Sequence, residues 1–260
     1  MGKFIIEKKD YLQHKEGEEI INIISKAKFD SFNEDILGLG KIETKSTQIN
    51  ALSVLFDLEG FTIFCKQIDP QLAVPEYLSD FLKWLFEQIR KELIETTYSD
   101  GYSTYSELPL LSKFMGDGIL FIWDTDELDE TEIMNIVWSM LEICRKYKSD
   151  FLKLISKKIV SAPSKLRCGI ARGTIYSVGN GNDFVGPCIN MSARLQKLNS
   201  LTFAFSRRGL NPEIEGSTYS PQFVTKKTDI RGIGSEELVC ILKSEHEELS
   251  KEDQVRFIDP

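Results

Sequence analysis

The chain has 260 residues, 42% of them apolar, enough to bury the core of one large domain or two small ones. Its formal net charge of -8 opposes general binding to nucleic acid or to an anionic membrane surface, yet leaves room for an anionic small molecule held by a few local cations and metal ions. Five scattered cysteines without a C-x-x-C pair fit a reducing compartment, and the charged start "MGKFIIEKKDYLQHKEGEE" with no long apolar run predicts a cytoplasmic protein.

Residues 1–45 are polar and mixed and read as an N-terminal extension, with a helix expected around "EEIINIISKAKF". The run "ALSVLFDL" (Ala51–Leu58) reads as a buried strand. In "PEYLSDFLKWLFEQIRKELI", Tyr77, Phe81, Trp84, Leu85 and Ile89 recur at helical spacing, and Pro75 suits the first turn of that helix. The aromatic stripe of Phe81, Trp84 and Phe86 reads as packing, not as a base-stacking platform. "YSDGYSTYSELP" reads as a loop, and "KFMGDGILFIWD" as two short strands about a Gly-Asp-Gly turn. "DETEIMNIVWSMLEICRKYKSDFLKLI" predicts a long amphipathic helix that starts among acids, as the helix dipole prefers. "LRCGIARGTIYSVGNGNDFVG" predicts two strands joined at Asn180-Gly181, a strong hairpin signal. "INMSARLQKLNS" returns to helix, and "QFVTKKTDI" and "EELVCILK" alternate as strands. The interleaving gives an α/β or α+β class: one domain over 46–245 behind the extension, with 246–260 as a C-terminal tail.

Chemistry concentrates at two acids. Asp57 closes the first core strand, and Asp117 sits on a turn whose flanking glycines allow close backbone approach to a ligand. Two acids brought together from separate strand ends would bind a hard divalent cation, which commonly pairs one or two carboxylates with substrate phosphates. A lone Asp at a turn is more often a solvated turn residue, so neither acid carries the assignment by itself. Weaker signals fall away: "GLGK" at Gly38 lacks the spacing of a phosphate loop, His14 and His246 stand alone, and "SRRGL" reads as a solvated basic loop.

Three segments resemble one family. "FDLEGFT" is similar to the first metal-binding segment of class III nucleotide cyclases, "KFMGDGILFIW" to the second and "DFVGPCINMSARLQKL" to the third. They fall in family order, and with "RCGIARG" and "IRGIGSEEL" the resemblance spans about residues 50 to 245. It implies an α+β sandwich with a ferredoxin-like βαββαβ core and additional strands. Asp57 and Asp117 become the carboxylates for two divalent ions, Mn²⁺ or Mg²⁺, with the Leu58 backbone as a further ligand. Gly60, Phe61 and Thr62 would offer main-chain N–H groups to the triphosphate. Asn190 would orient the ribose, Arg194 would stabilise charge on the α-phosphate, Lys113 and Asp183 would read the base, and Arg231 would hold the β- and γ-phosphates. Departures from the pattern are Leu55 where phenylalanine is usual, Phe184 and Val185 after the base-reading position, and Ile189 in place of valine. Glu59 occupies a variable position and reads as solvated.

The activity implied is conversion of a nucleoside triphosphate to its 3′,5′-cyclic monophosphate and pyrophosphate. A head-to-tail homodimer is expected, with metal carboxylates from one protomer and the base, ribose and α-phosphate groups from the other. Overall resemblance favours the pyrimidine cyclases of bacterial anti-phage (Pycsar) systems, which use UTP or CTP and signal to a separate effector protein. The alternatives are an adenylate cyclase, which Lys113 and Asp183 favour, and a nucleotide-binding homologue without turnover.

Overall fold

In the computed structural model, which describes residues 4–5, 7–16, 19–97, 101 and 103–260, the chain separates into two units: residues 1–47 with 176–185, and residues 48–175 with 186–260. In the first unit Tyr11–Glu16 (β1) and Glu19–Ile24 (β2) pair antiparallel, Tyr11 opposite Ile24. The helix expected over this stretch is therefore corrected. Its isoleucines take the extended backbone that β-branched side chains favour, with the ladder to β1 supplying hydrogen bonds. Helix is confined to Lys26–Asp30 (α1), which Ser25 caps by accepting from the Lys28 N–H at 3.1 Å. Residues 38–47 are tied to the Asn180-Gly181 hairpin. The Thr47 N–H donates to Ser177 Oγ at 2.8 Å, and Asn182 Nδ2 donates to the Gly38 carbonyl at 3.1 Å.

The second unit is built on Gln48–Glu59 (β3), whose residues from Ala51 to Leu58 are all buried. Phe61–Phe64 (α2) and Pro70–Glu92 (α3) follow, then Ile94–Thr97 (β4), Ser103–Tyr105 (β5), Leu111–Phe114 (β6) and Gly118–Asp124 (β7). Glu130–Lys146 (α4) passes through a π-helical turn at Tyr147–Phe151 into Leu152–Ile155 (α5). Lys165–Val178 (β8) leads, through Asp183–Val185 (β9) of the first unit, to Pro187–Leu195 (α6), Phe203–Ser206 (β10), Phe223–Ile230 (β11) and Gly234–Leu242 (β12), with Lys243–Glu248 (α7) and Lys251–Gln254 (α8) last. The sheet runs β11-β12-β10-β8-β3-β7-β6. The run β8-β3-β7-β6, with α3 and α4, makes the expected βαββαβ core in the order fourth, first, third, second.

Three further expectations change. Helix α3 starts at Pro70, and Pro75 lies inside it, because Pro70 already fills the first-turn position. The expected loop after α3 contains β5, which pairs with β4 from Ile94 opposite Tyr105 to Thr97 opposite Ser103; residues 98–100 and 102 of that stretch lie outside the described residues. Strand β10, only four residues long, had no sequence signal and pairs parallel with β8.

Side-chain alternation along β3 divides the unit into two faces. Leu52, Val54, Phe56 and Leu58 enter a core with Tyr77, Phe81, Leu85 and Ile89 of α3 and the buried face of α4. Each fully buried aliphatic or Phe side chain there stabilises the fold by roughly 1.5–3 kcal/mol. Tyr77 and Tyr147 keep their buried hydroxyls satisfied: they lie 2.7 Å apart, and Tyr147 donates to the Pro163 carbonyl at 2.6 Å. The other face of β3 carries Ser53, whose Oγ lies 2.8 Å from Ser192 Oγ of α6.

Candidate active site

Asp57 shares the α6 face of the sheet with Ser53, two residues per step along the same strand. The residue is 8% exposed. Gly118 is its direct partner on β7, and the Leu58 N–H donates to the Asp117 carbonyl at 3.2 Å, so the turn brings Asp117 alongside the end of β3. Gly116 holds a φ of 94°, and the turn closes with the Met115 N–H donating to the Gly118 carbonyl at 2.7 Å. A Cβ on Gly118 would come 2.7 Å from the Phe56 carbonyl, so glycine is what lets the two strand ends meet. Burial pushes the Asp57 carboxyl above its ordinary range; the Lys197 ammonium pulls it back, and repulsion from Asp117 adds to the rise.

Helix α6 supplies the facing groups. It seats on β8 at Gly169, where a Cβ would lie 2.2 Å from the Ser192 carbonyl and 2.3 Å from the Gln196 nitrogen. Asn190 and Arg194 fall one turn apart on its exposed side, and the Lys197 N–H continues the turn by donating to the Arg194 carbonyl at 3.1 Å. Together Asp57, Asp117, Asn190, Arg194 and Lys197 line one cleft of about 510 Å³ within a single chain. Gly232 and Ile233, in the turn between β11 and β12, complete its rim. Arg231 is exposed in the same turn but is not among the lining residues.

The remaining predicted residues are placed as follows. Lys113 on β6 stands opposite Leu120, which stands opposite Leu55, so Lys113 shares the sheet face of Asp57. Asp183 opens β9 in the first unit, and its Oδ1 accepts from the Phe184 N–H at 2.9 Å. The two proposed base readers thus belong to different units. Gly60, with a φ of 85°, turns β3 into α2; its carbonyl accepts from the N–H groups of Ile63 and Phe64 at 3.0 and 2.9 Å. The Phe61 ring packs 5.7 Å from that of Phe64, and Thr62 is exposed. Glu59 is not free in solvent, contrary to expectation: it pairs with the Arg167 guanidinium and lies 3.7 Å from Lys165 Nζ. In the basic loop Arg208 is exposed, as expected, while Arg207 is half-buried. Arg207 donates to the Leu210 carbonyl at 2.7 Å, and Arg208 pairs with Glu237 at 2.8 Å. Sequence reasoning missed Lys197 and Arg167. Only helical spacing from Asn190 and Arg194 could have marked the first, and strand alternation along β8 the second.

Solved structures of guanylyl cyclase domains share this fold. Guanylyl cyclase Cya2 matches at a TM-score of 0.56 and 15% identity, over 76% of this chain and 93% of that one. The guanylate cyclase domain of RhGC from Catenaria anguillulae, in complex with GTP, matches at 0.52 and 17% identity, over 75% and 97%. The catalytic core of a rhodopsin-guanylyl cyclase with converted specificity, in complex with ATPαS, matches at 0.51 and 17%, over 76% and 98%. No protein-family model matches the chain, and no curated protein matches its sequence. The chain shares the fold of these cyclase catalytic domains. Among the described residues, no helix is long and apolar enough to cross a membrane.

Proposed function

We propose that the chain cyclises a nucleoside triphosphate to its 3′,5′-cyclic monophosphate and pyrophosphate. The observation that supports this reading most is the convergence of Asp57, Asp117, Asn190 and Arg194 on one cleft. In the reaction the ribose 3′-oxygen bonds to the α-phosphorus as the bond from that phosphorus to pyrophosphate breaks, and the 3′-hydroxyl proton passes to solvent water. Arg194 carries charge that develops on the α-phosphate, and Asn190 holds the ribose so that attack is in line. Main-chain N–H groups of Gly60, Phe61 and Thr62, with Arg231, hold the triphosphate.

Asp57 and Asp117, with the Leu58 carbonyl, would hold two divalent ions, Mn²⁺ or Mg²⁺. The donor set fits them: the ligands are hard oxygens, two carboxylates leave positions for phosphate oxygens, and among the described residues neither the buried Asp57 nor the half-buried Asp117 has a cation within 4.0 Å. Ions bound there supply acidification of the hydroxyl and neutralisation of the leaving pyrophosphate. A second copy of this chain, paired head to tail, would bring its own Asn190 and Arg194 to these carboxylates, in place of the pair that lines the cleft within the single chain.

The finer part of the proposal is the base. Resemblance to the anti-phage pyrimidine cyclases supports UTP or CTP as substrate, with the cyclic product read by a separate effector. The residue types at Lys113 and Asp183 support ATP as the second reading. Pyrophosphate release with Mn²⁺ and each of the four ribonucleotides tests both. The expected result is turnover with UTP or CTP foremost; preference for ATP selects the second reading, and release from none of the four makes the chain a silent homologue.

A further inference from the structure

Two cations that line the cleft, Arg194 and Lys197, make no ion pair within 4.0 Å among the described residues. Lys165 and Arg167, on the α6 face of β8, are committed to Glu59. Lys197 lines the cleft with Asp57 and Asp117, is exposed, and makes no ion pair within 4.0 Å among the described residues. It follows Asn190 and Arg194 in the turn that ends α6, its N–H donating to the Arg194 carbonyl at 3.1 Å. Of the charges acting on Asp57, the Lys197 ammonium exerts the strongest favourable field.

We propose that Lys197 is a third cation of the active site, the counter-ion of Asp57 and Asp117 while the cleft is empty and a ligand of the triphosphate once the cleft is loaded. The role rests on the reading of the two aspartates as metal carboxylates. Its physical basis is a flexible four-carbon stem carrying a point charge, which can leave the carboxylates when divalent ions take their field and reach the incoming phosphates instead. No family motif assigns this position.

The test uses the full chain without nucleotide. In Mn²⁺ titrations followed by electron paramagnetic resonance, Lys197→Gln should bind Mn²⁺ about five-fold more tightly than wild type, because a fixed positive charge opposes cation binding nearby. Lys197→Arg, which keeps the charge, should stay close to wild type. In calorimetric titration of inorganic tripolyphosphate onto Mn²⁺-saturated protein, Lys197→Gln should bind about ten-fold more weakly, the effect of losing a charged hydrogen bond. Both shifts are required, and either affinity left unchanged in Lys197→Gln overturns the role. Asp57→Asn separates the two levels of the claim. Mn²⁺ binding that depends on Asp57 but ignores Lys197 overturns only the lysine's role; Mn²⁺ binding indifferent to Asp57 removes the metal assignment and this proposal with it.

Discussion

A carboxyl whose folded pKa lies above its ordinary value favours the fold most when protonated. For Asp57, burial raises the value, so its favourable contribution is complete below the unfolded pKa and is lost as pH rises through the folded one. In EDTA at neutral pH, Asp57→Asn should therefore melt about 2–4 °C higher than wild type for each kcal/mol relieved, and the gain should vanish below about pH 4. Mn²⁺ should raise the melting temperature of wild type and not of the variant. A variant less stable than wild type at pH 7 would contradict the buried-charge account. A second prediction separates catalysis from base reading. Arg194→Ala should lower turnover of every nucleotide by about 10²-fold or more, as loss of a charge-stabilising donor does. Lys113→Ala should instead change the ratio between nucleotides. Equal slowing of all four by Lys113→Ala would assign it to the phosphates. The placement of Asp57 and Asp117 at neighbouring strand ends was legible because each sits in a short motif whose flanking residues have strict conformational demands. Lys197 was not, since its proximity to Asp57 comes from helix α6 packing across the sheet and has no local signature.

Elements with strong local chemistry could be read directly. Asn180-Gly181 and Gly116-Asp117-Gly118 turn as expected, and the acids before α4 include a capping box in which Asp129 and Glu132 satisfy each other's backbone N–H groups at 2.9 and 2.8 Å. Where the signal was tertiary, reading failed. The isoleucines of β2 carry helical spacing as well as β-branching, and the partner strand decides between them. Strand β10 is too short to alternate visibly. Helix α6 shows how an element positions chemistry: it rests on the bare backbone of Gly169. Gly169→Ala should push it outward, destabilising the protein by ~1–3 kcal/mol in urea unfolding. Displacement of Asn190 and Arg194 by even about 1 Å should cost on the order of 10² in turnover. Unchanged activity in a folded Gly169→Ala variant would mean that the seating of α6 does not set the site.

At the scale of the molecule, the order of the four βαββαβ strands in the second unit is the one that the family resemblance implied. The first unit was not legible, because hydrogen bonds such as that from Thr47 to Ser177 join residues 130 positions apart. Each chain carries carboxylates and α6 groups alike, so a head-to-tail dimer would contain two equivalent sites. Asp57→Ala and Arg194→Ala should each be inactive alone, and mixing them should restore up to about half of wild-type activity per heterodimer, because one of its sites escapes both lesions. No recovery after verified subunit exchange would mean that each cleft is complete within its own chain. The central claim is that this cleft closes a phosphodiester ring under the control of Asp57 and Asp117, and direct detection of the product by mass spectrometry tests it. Wild type with Mn²⁺ should yield a 3′,5′-cyclic nucleotide and pyrophosphate in equal amounts, and Asp57→Asn or Asp117→Asn should yield neither. A linear nucleotide product, or cyclic product undiminished in both variants, would contradict it.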